Sequence, residues 1–314
     1  MDVLSSAIAP PTGPVSLEPL SIYTGMLGQI GDIVMFTATV RRIKELFPRS
    51  IITFAVSAKY REAGELVAGL PYVDRVFVTR MYFERMTNDR YVPWHMGWPV
   101  DLRGEDEIAE QARHDIVLET RPRHRRMPWW EYAHQVDECA HMVGVPGPID
   151  LRTDVKVPDG TPVSPEASGK IVIHNDPSID ATKAWPWPLL EQFVQKVGPE
   201  RVVVLGTPGP LLAGTRDLRG YTTLTQAAAI IEKAACYVGI DSGLMWIAGS
   251  LGVPTVGLYG TSYIAAYNHI QPINARAIYL QTEGTLDAIS PDAVLSAVKK
   301  IESSGSVCPS RDII

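Results

Sequence analysis

The chain has 314 residues, of which 46% are hydrophobic and 20% charged, which is the composition of an ordinary soluble globular protein. Its length exceeds the size at which one hydrophobic core usually stops growing, so two domains of roughly 150 residues each are favoured. The net charge of −6 argues against a surface built throughout for nucleic acid and leaves room only for a local basic patch. Three cysteines without CxxC spacing, and no long apolar run, favour a cytoplasmic protein without a membrane span.

The first half of the chain alternates β-branched runs with amphipathic segments, after a Pro-rich stretch at residues 1–18 that we interpret as a flexible leader. This rhythm predicts strands at 21–25, 50–56 and 75–79, and helices at 33–47 and 60–70. Residues 80–113 lose the rhythm, which is typical of a functional insertion, and a strand is predicted again at 114–120.

A second α/β series follows a stretch rich in Pro, Gly and Ser at residues 157–169, which predicts an interdomain linker. Strands are predicted at 170–176, 201–206, 236–240, 254–260 and 277–281, and helices at 188–197, 225–235, 244–251 and 291–301. We therefore expect an α/β protein with two parallel sheets, one in residues 19–156 and the other in residues 170–314.

Asp32 follows three glycines spaced by threes, Gly25, Gly28 and Gly31, where the first strand meets its helix. Ligands of open α/β sheets bind at such carboxyl ends of strands. The loop does not have the GxGxxG pattern of an NAD site, and the chain has no GxxxxGK[ST] phosphate-binding loop. Asp32 has two interpretations: a residue that opposes the helix dipole, or a carboxylate that takes a proton from a hydroxyl nucleophile.

The stretch Asp241-Ser242-Gly243 also lies between a predicted strand and a predicted apolar helix. Backbone N–H groups of residues 243–245 could bind a diphosphate there, with the Ser242 hydroxyl as an additional donor. The alternative is that Asp241 or Ser242 only caps the helix. Lys183 lies in another strand-to-helix loop, where it could neutralise a leaving phosphate or be an ordinary surface lysine.

A basic and aromatic segment, "RPRHRRMPWW", occupies residues 121–130. Its arginines could clamp phosphate or carboxylate groups of an anionic glycolipid, or follow a nucleic-acid backbone. Its two tryptophans could stack on a sugar or lie at a membrane interface. A solvated basic loop is the simplest alternative, and the sequence leaves these choices open.

Taken together, residues 21 to 301 resemble glycosyltransferase family 9, the heptosyltransferases of lipopolysaccharide assembly. The resemblance is carried by "GQIGD", "TKAWP", the run "DLRGYTTLTQAAAIIEKAACYVGIDSG" and "LGVPTVGLYGTS", in the order that the family has them. It implies the GT-B fold, in which two Rossmann-like domains face each other across a cleft, with the acceptor on the first and the nucleotide sugar on the second. It also implies transfer with inversion, no metal and no other cofactor.

The resemblance further implies a nucleotide-sugar donor, for example ADP-heptose, and an anionic glycan or lipopolysaccharide-core-type acceptor. Nucleic acid is not an expected partner, and the location would be cytoplasmic, with peripheral contact at the inner face of the membrane left open. Asp32 matches the general base and Lys183 the lysine that faces the phosphates. The expected donor-binding residues are Gly206, Asp241, Ser242, Gly243, Leu244, Met245, Trp246 and Thr261. The expected acceptor-binding residues are Gly28, Gly31, Arg121, Arg123, Arg125 and Arg126.

Three departures from the family pattern leave the nucleotide open. Trp246 stands where many members have His, residues 260–262 read Gly-Thr-Ser rather than Gly-Pro-Thr, and residues 207–210 lack the Glu associated with ribose binding. Trp246 could stack on a sugar or pack in the core. Two other functions on the same scaffold therefore stay open: a noncatalytic nucleotide-sugar-binding protein, and a nucleotide-sugar epimerase, which would leave the basic segment unexplained.

Overall fold

The computed structural model describes residues 19–26, 28–79, 105–119, 134–145, 147–163, 165–176, 181–260, 270–304 and 310–313. The predicted leader at 1–18, the basic segment at 121–130 with its four arginines, and Thr261 lie outside these residues. No helix within the described part of the chain is long and apolar enough to cross a membrane.

The first sheet is built from parallel strands in the order β3-β2-β1-β4. Its elements, in chain order, are β1 (Ser21–Gly25), α1 (Ile30–Leu46), β2 (Ile51–Ser57), α2 (Arg61–Val67), β3 (Arg75–Thr79), α3 (Glu105–Gln111), β4 (Ile116–Glu119) and α4 (Gln135–Met142). The central strands β1 and β2 are almost wholly buried, as their apolar runs predict. Strand β3 is partly exposed, and within the described residues it pairs with β2 alone.

The second sheet is also parallel, in the order β11-β10-β9-β8-β5-β6-β7. Its elements are β5 (Ile171–His174), α5 (Trp187–Val197), β6 (Val202–Leu205), β7 (Arg216–Asp217), α6 (Leu224–Glu232), β8 (Cys236–Ile240), α7 (Gly243–Ser250), β9 (Thr255–Gly260), β10 (Ala277–Thr282), α8 (Pro291–Ser304) and β11 (Ser310–Ile313). From β7 to β10 this is the strand order of a dinucleotide-binding fold, whose ligand crevice lies where the order reverses, between β5 and β8.

Several elements differ from the sequence prediction. Helix α1 begins at Ile30 rather than residue 33, so Asp32 lies inside its first turn. Helix α3 occupies part of the stretch predicted to be irregular, and α4 was not predicted. The predicted linker contains a short 3₁₀ turn at Pro165–Ala167. The domain boundaries themselves stay a prediction, with one sheet on each side of residues 157–169.

The two halves are in direct contact through the first turns of α1 and α7. A Cβ atom placed on Gly243 would lie 2.7 Å from the Cβ of Ile30, and one placed on Gly31 would lie 3.1 Å from Cδ1 of Trp246. Residues of both halves belong to one continuous hydrophobic cluster, while a second cluster covers the other face of the second sheet. Since α1 follows β1 and α7 follows β8, this contact brings the carboxyl ends of the two sheets together.

Candidate functional site

Asp241 and Lys183 form an ion pair at the point where the strand order of the second sheet reverses. The Nζ atom of Lys183 lies 2.6 Å from Oδ2 of Asp241, and the two side chains are 21% and 19% exposed. Asp241 directly follows β8, and Lys183 ends a 3₁₀ turn in the loop after β5. Both residues therefore lie where an open parallel sheet binds its ligand.

Ser242 is the N-cap of α7. Its hydroxyl accepts a hydrogen bond from the backbone N–H of Met245 at 3.3 Å. Ser242 therefore caps the helix, as the second interpretation of this residue predicted. The capping bond uses one of the N–H groups that were expected to face a diphosphate. A role of Ser242 or of residues 243–245 in donor binding stays a prediction.

Asp32 is partly exposed and lies at the third position of α1. Its Oδ2 accepts a hydrogen bond from the backbone N–H of Gln29 at 2.8 Å, which completes a capping box. Loss of solvation raises the pKa of Asp32 to about 6, and the negative charge of Asp241 raises it further. The hydrogen bond from Gln29 and the positive charge of Lys183 act in the opposite direction and lower the pKa. The residue is therefore both a helix cap and a carboxylate within electrostatic reach of the Lys183–Asp241 pair.

Packing accounts for the two glycines that were expected to contact an acceptor. A Cβ atom on Gly28 would lie 2.4 Å from Oδ2 of Asp32, and the space beside Gly31 is taken by Trp246. The Trp246 side chain is 2% exposed and meets the ring of His134 edge-on at 6.2 Å. This burial favours the core-packing interpretation of Trp246, and acceptor contacts at the glycines stay a prediction.

The loop after β6 is held by residues that the sequence analysis did not identify. Asp176 accepts hydrogen bonds from the backbone N–H and the hydroxyl of Thr207, at 3.0 and 2.5 Å. The guanidinium of Arg219 donates to the carbonyl of Pro210 at 2.6 Å. Gly206 has φ +129°, and a Cβ atom placed on it would lie only 3.2 Å from the side chains of both His174 and Asp176. Hydrogen bonds and close packing therefore hold this loop at the carboxyl end of β6, the edge of the sheet where such folds bind ligands.

Three buried polar groups lie on the face of the second sheet that packs against α7. Within the described residues, Nδ1 of His174 and the hydroxyls of Tyr237 and Tyr259 make no hydrogen bond of good geometry. Burial lowers the pKa of His174 to about 4, so its imidazole is neutral. The sequence analysis did not single out these three residues, because each occupies an ordinary inward position of a strand.

Among the residues that the structure describes, no group of three or more His, Cys, Asp or Glu side chains has the arrangement of a metal site.

The two parallel sheets that meet at their carboxyl ends give the chain the GT-B fold. The family model described as glycosyltransferase family 9 (heptosyltransferase) matches residues 209–288, which contain the Asp241–Gly243 loop. The resemblance seen in the motifs is therefore confirmed over this stretch. No curated protein sequence matches the chain.

Solved structures match the fold over nearly the whole chain. A glycosyl transferase family 9 protein from Veillonella parvula aligns with TM-score 0.67 and 17% identity over 92% of this chain and 98% of its own. The ADP-heptose lipopolysaccharide heptosyltransferase II of E. coli aligns with TM-score 0.68 and 19% identity over 90% and 98%. The iron-containing dodecameric glycosyltransferase TibC of enterotoxigenic E. coli aligns with TM-score 0.63 and 13% identity over 91% and 77%.

Proposed function

We propose that the protein is an inverting glycosyltransferase that moves a sugar, heptose or a related one, from a nucleoside-diphosphate donor to a hydroxyl of a lipopolysaccharide-core-type glycan. The observation that carries the proposal is the packing of Gly243, two residues after Asp241, against Ile30 and Gly31, the residues just before Asp32. This packing brings Asp32 of the first half within electrostatic reach of the Lys183–Asp241 pair of the second. A base and a cation on opposite sides of one cleft are what attack on an anomeric carbon requires.

In this reaction Asp32 accepts the proton of the acceptor hydroxyl as its oxygen attacks the anomeric carbon. The bond from that carbon to the diphosphate oxygen breaks on the opposite face, so the anomeric configuration is inverted. Lys183 and the backbone N–H groups at the start of α7 stabilise the charge that develops on the leaving diphosphate. A carboxylate with a pKa of about 6 is mostly ionised at neutral pH and is a stronger base than an ordinary aspartate.

The donor class is suggested by the family match and by the E. coli neighbour, whose name includes ADP-heptose. The acceptor would be an anionic glycan or glycolipid met at the inner face of the membrane, with the basic segment at 121–130 as its contact. We propose that no metal takes part. One neighbour is described as iron-containing, so the test needs a chelator arm.

The test is a release assay with ADP-, GDP-, UDP- and CDP-sugars, including ADP-heptose, and a lipopolysaccharide-core extract as acceptor, with and without EDTA. Asp32→Asn is the informative variant, because its side-chain oxygen can still accept the Gln29 N–H bond while its basicity is lost. We expect acceptor-dependent release of one nucleoside diphosphate, unaffected by EDTA, to fall at least a hundredfold in Asp32→Asn.

Near-normal activity of Asp32→Asn, with a loss only in Asp32→Ala, would return Asp32 to the role of a helix cap. Tight donor binding without turnover would indicate a binding protein. Interconversion of the nucleotide sugar without acceptor would indicate an epimerase. Loss of activity in EDTA, restored by an added metal ion, would overturn metal independence.

A further inference from the structure

Two buried tyrosines run in opposite directions along neighbouring strands of the second sheet. Gly239 of β8 pairs with Gly257 of β9, and each glycine lies beneath the tyrosine two residues away on its own strand. A Cβ atom on Gly239 would lie 2.7 Å from the hydroxyl oxygen of Tyr237, so this side chain runs forward, toward the carboxyl end of β8. A Cβ atom on Gly257 would lie 2.9 Å from Cε2 of Tyr259, so that side chain runs backward. Of the two hydroxyls, the one of Tyr237 therefore lies toward the edge of the sheet at which α7 begins.

The hydroxyl of Tyr237 is buried and has a polar neighbour. Tyr237 is 0% exposed, and within the residues described its hydroxyl makes no hydrogen bond of good geometry. An unpaired buried hydroxyl costs stability, so a partner that a small side-chain rotation can reach should be used. Burial raises the pKa of the Tyr237 phenol, and the side chain of Ser242, as a hydrogen-bonding group, lowers it. Ser242 is therefore the partner that the packing offers.

Ser242 can accept a hydrogen bond from Tyr237 and still cap its helix. A serine hydroxyl has two lone pairs and one proton. One lone pair of Ser242 accepts the N–H of Met245 at 3.3 Å, which is longer than the usual distance of about 2.9 Å and leaves the hydroxyl room to rotate. With both lone pairs occupied, Ser242 could only donate its own proton. The residue is partly exposed at the carboxyl edge of the sheet, where such folds bind ligands.

We propose that Tyr237 is a positioning residue whose hydroxyl donates to Oγ of Ser242 and thereby turns the Ser242 proton outward, toward a phosphate oxygen of the donor. Phosphate oxygens are ionised and accept hydrogen bonds, so a serine held as a donor suits them. The backbone N–H groups at the start of α7 favour the same kind of ligand. The inference rests on the proposed function for the identity of the ligand, but the bond between Tyr237 and Ser242 is testable without any ligand.

The first experiment measures thermal unfolding of the full chain without ligand, for wild type, Tyr237→Phe, Ser242→Gly and the double variant. Glycine is chosen at position 242 because it removes the hydroxyl and is tolerated at a helix N-cap. We expect Tyr237→Phe to lower the unfolding temperature by a few degrees when Ser242 is present, as for one lost hydrogen bond, but not in the Ser242→Gly background. Tyr259→Phe is the matched control, because it removes a buried, unpaired hydroxyl that points away from α7. It should not lower the unfolding temperature.

The second experiment measures the affinity of the same proteins for ADP, GDP, UDP and CDP by calorimetric titration. We expect Tyr237→Phe to bind the preferred nucleotide about tenfold more weakly, as for a weakened hydrogen bond to a charged group, and Ser242→Gly to bind it at least as weakly. The double variant should bind no more weakly than Ser242→Gly alone, because Tyr237 acts only through Ser242. Tyr259→Phe should bind as the wild type does.

Equal nucleotide affinity of wild type and Tyr237→Phe would overturn the positioning role while leaving the proposed function intact. A loss of affinity or stability that is just as large in the Ser242→Gly background, or in Tyr259→Phe, would also overturn it, because the effect would then not pass through Ser242. Failure of wild type to bind any of the four nucleotides would overturn the proposed function, and with it the role of the diphosphate. The unfolding experiment would still decide whether Tyr237 bonds Ser242.

Discussion

Asp32 caps a helix and, under the proposed function, also acts as a base, and the second role sets its pH dependence. As a cap it only needs an oxygen that accepts the N–H of Gln29. As a base it must be ionised, and burial raises its pKa from 3.8 to about 6. The ionised fraction therefore becomes large only as the pH rises through about 6.

We expect kcat/KM for sugar transfer to increase between pH 5 and 7 with a single ionisation near 6, and to level off above it, because this ratio reports the free protein's essential base. The measurement is initial rates across that range, with thermal unfolding at pH 5 as a control for loss of fold. A rise in kcat/KM centred near pH 4, where an ordinary aspartate titrates, would contradict the role assigned to Asp32.

The sequence singles out individual residues of the candidate site, but it does not show which of them lie close together. Asp32, Lys183 and Asp241 stand out because each follows a predicted strand, where sheets bind ligands. The ion pair joins residues 58 positions apart, and Asp32 approaches it only because two helices from different halves pack together.

At the scale of elements, α1 and α7 form the contact that sets the site's geometry. Trp246 is buried against the first turn of α1, with Cδ1 only 3.1 Å from where a Cβ on Gly31 would lie. Alanine is normally about 1 kcal/mol better than glycine within a helix. At Gly31 this gain is opposed by the indole, which is held in a packed core.

We expect Gly31→Ala to stabilise the protein in a Trp246→Ala background but to be neutral or destabilising when Trp246 is present. The coupling should be on the order of 1 kcal/mol, as for residues in direct contact. Denaturant unfolding of the wild type, both single variants and the double variant completes the cycle. Additive effects, within about 0.5 kcal/mol, would show that the helices do not depend on this fit.

The strands were more predictable than the helices for a physical reason. Strands buried on both faces read as continuous apolar runs, so β2, β6 and β8 are evident in the sequence. Helix α4 was missed because it begins with an unusual cap, in which Nδ1 of His134 accepts the N–H of Val136 at 3.1 Å. The other ring nitrogen of His134 bonds the carbonyl of Gln271 at 2.9 Å, so this helix start depends on the second half.

At the scale of the molecule, polar contacts join the two halves around the shared hydrophobic cluster. The hydroxyls of Thr153 and Ser250 lie 2.6 Å apart. Farther from the α1–α7 contact, Glu62 of α2 accepts a hydrogen bond from the backbone N–H of Leu224, the first residue of α6. A carboxylate at a helix N-terminus is stabilised both by that N–H and by the helix dipole.

Glu62 should therefore help to hold the halves together, and its loss should loosen the site without touching it. We expect Glu62→Ala to lower the unfolding temperature by a few degrees, for a loss of about 1 kcal/mol, and to raise the KM for donor more than it lowers kcat.

Glu65→Ala is the matched control, because Glu65 lies one turn along the same helix and is exposed. Small-angle scattering should show a larger radius of gyration for Glu62→Ala than for Glu65→Ala. Identical scattering, stability and KM for the two variants would mean that the apolar contact between α1 and α7 holds the two halves together without help from Glu62.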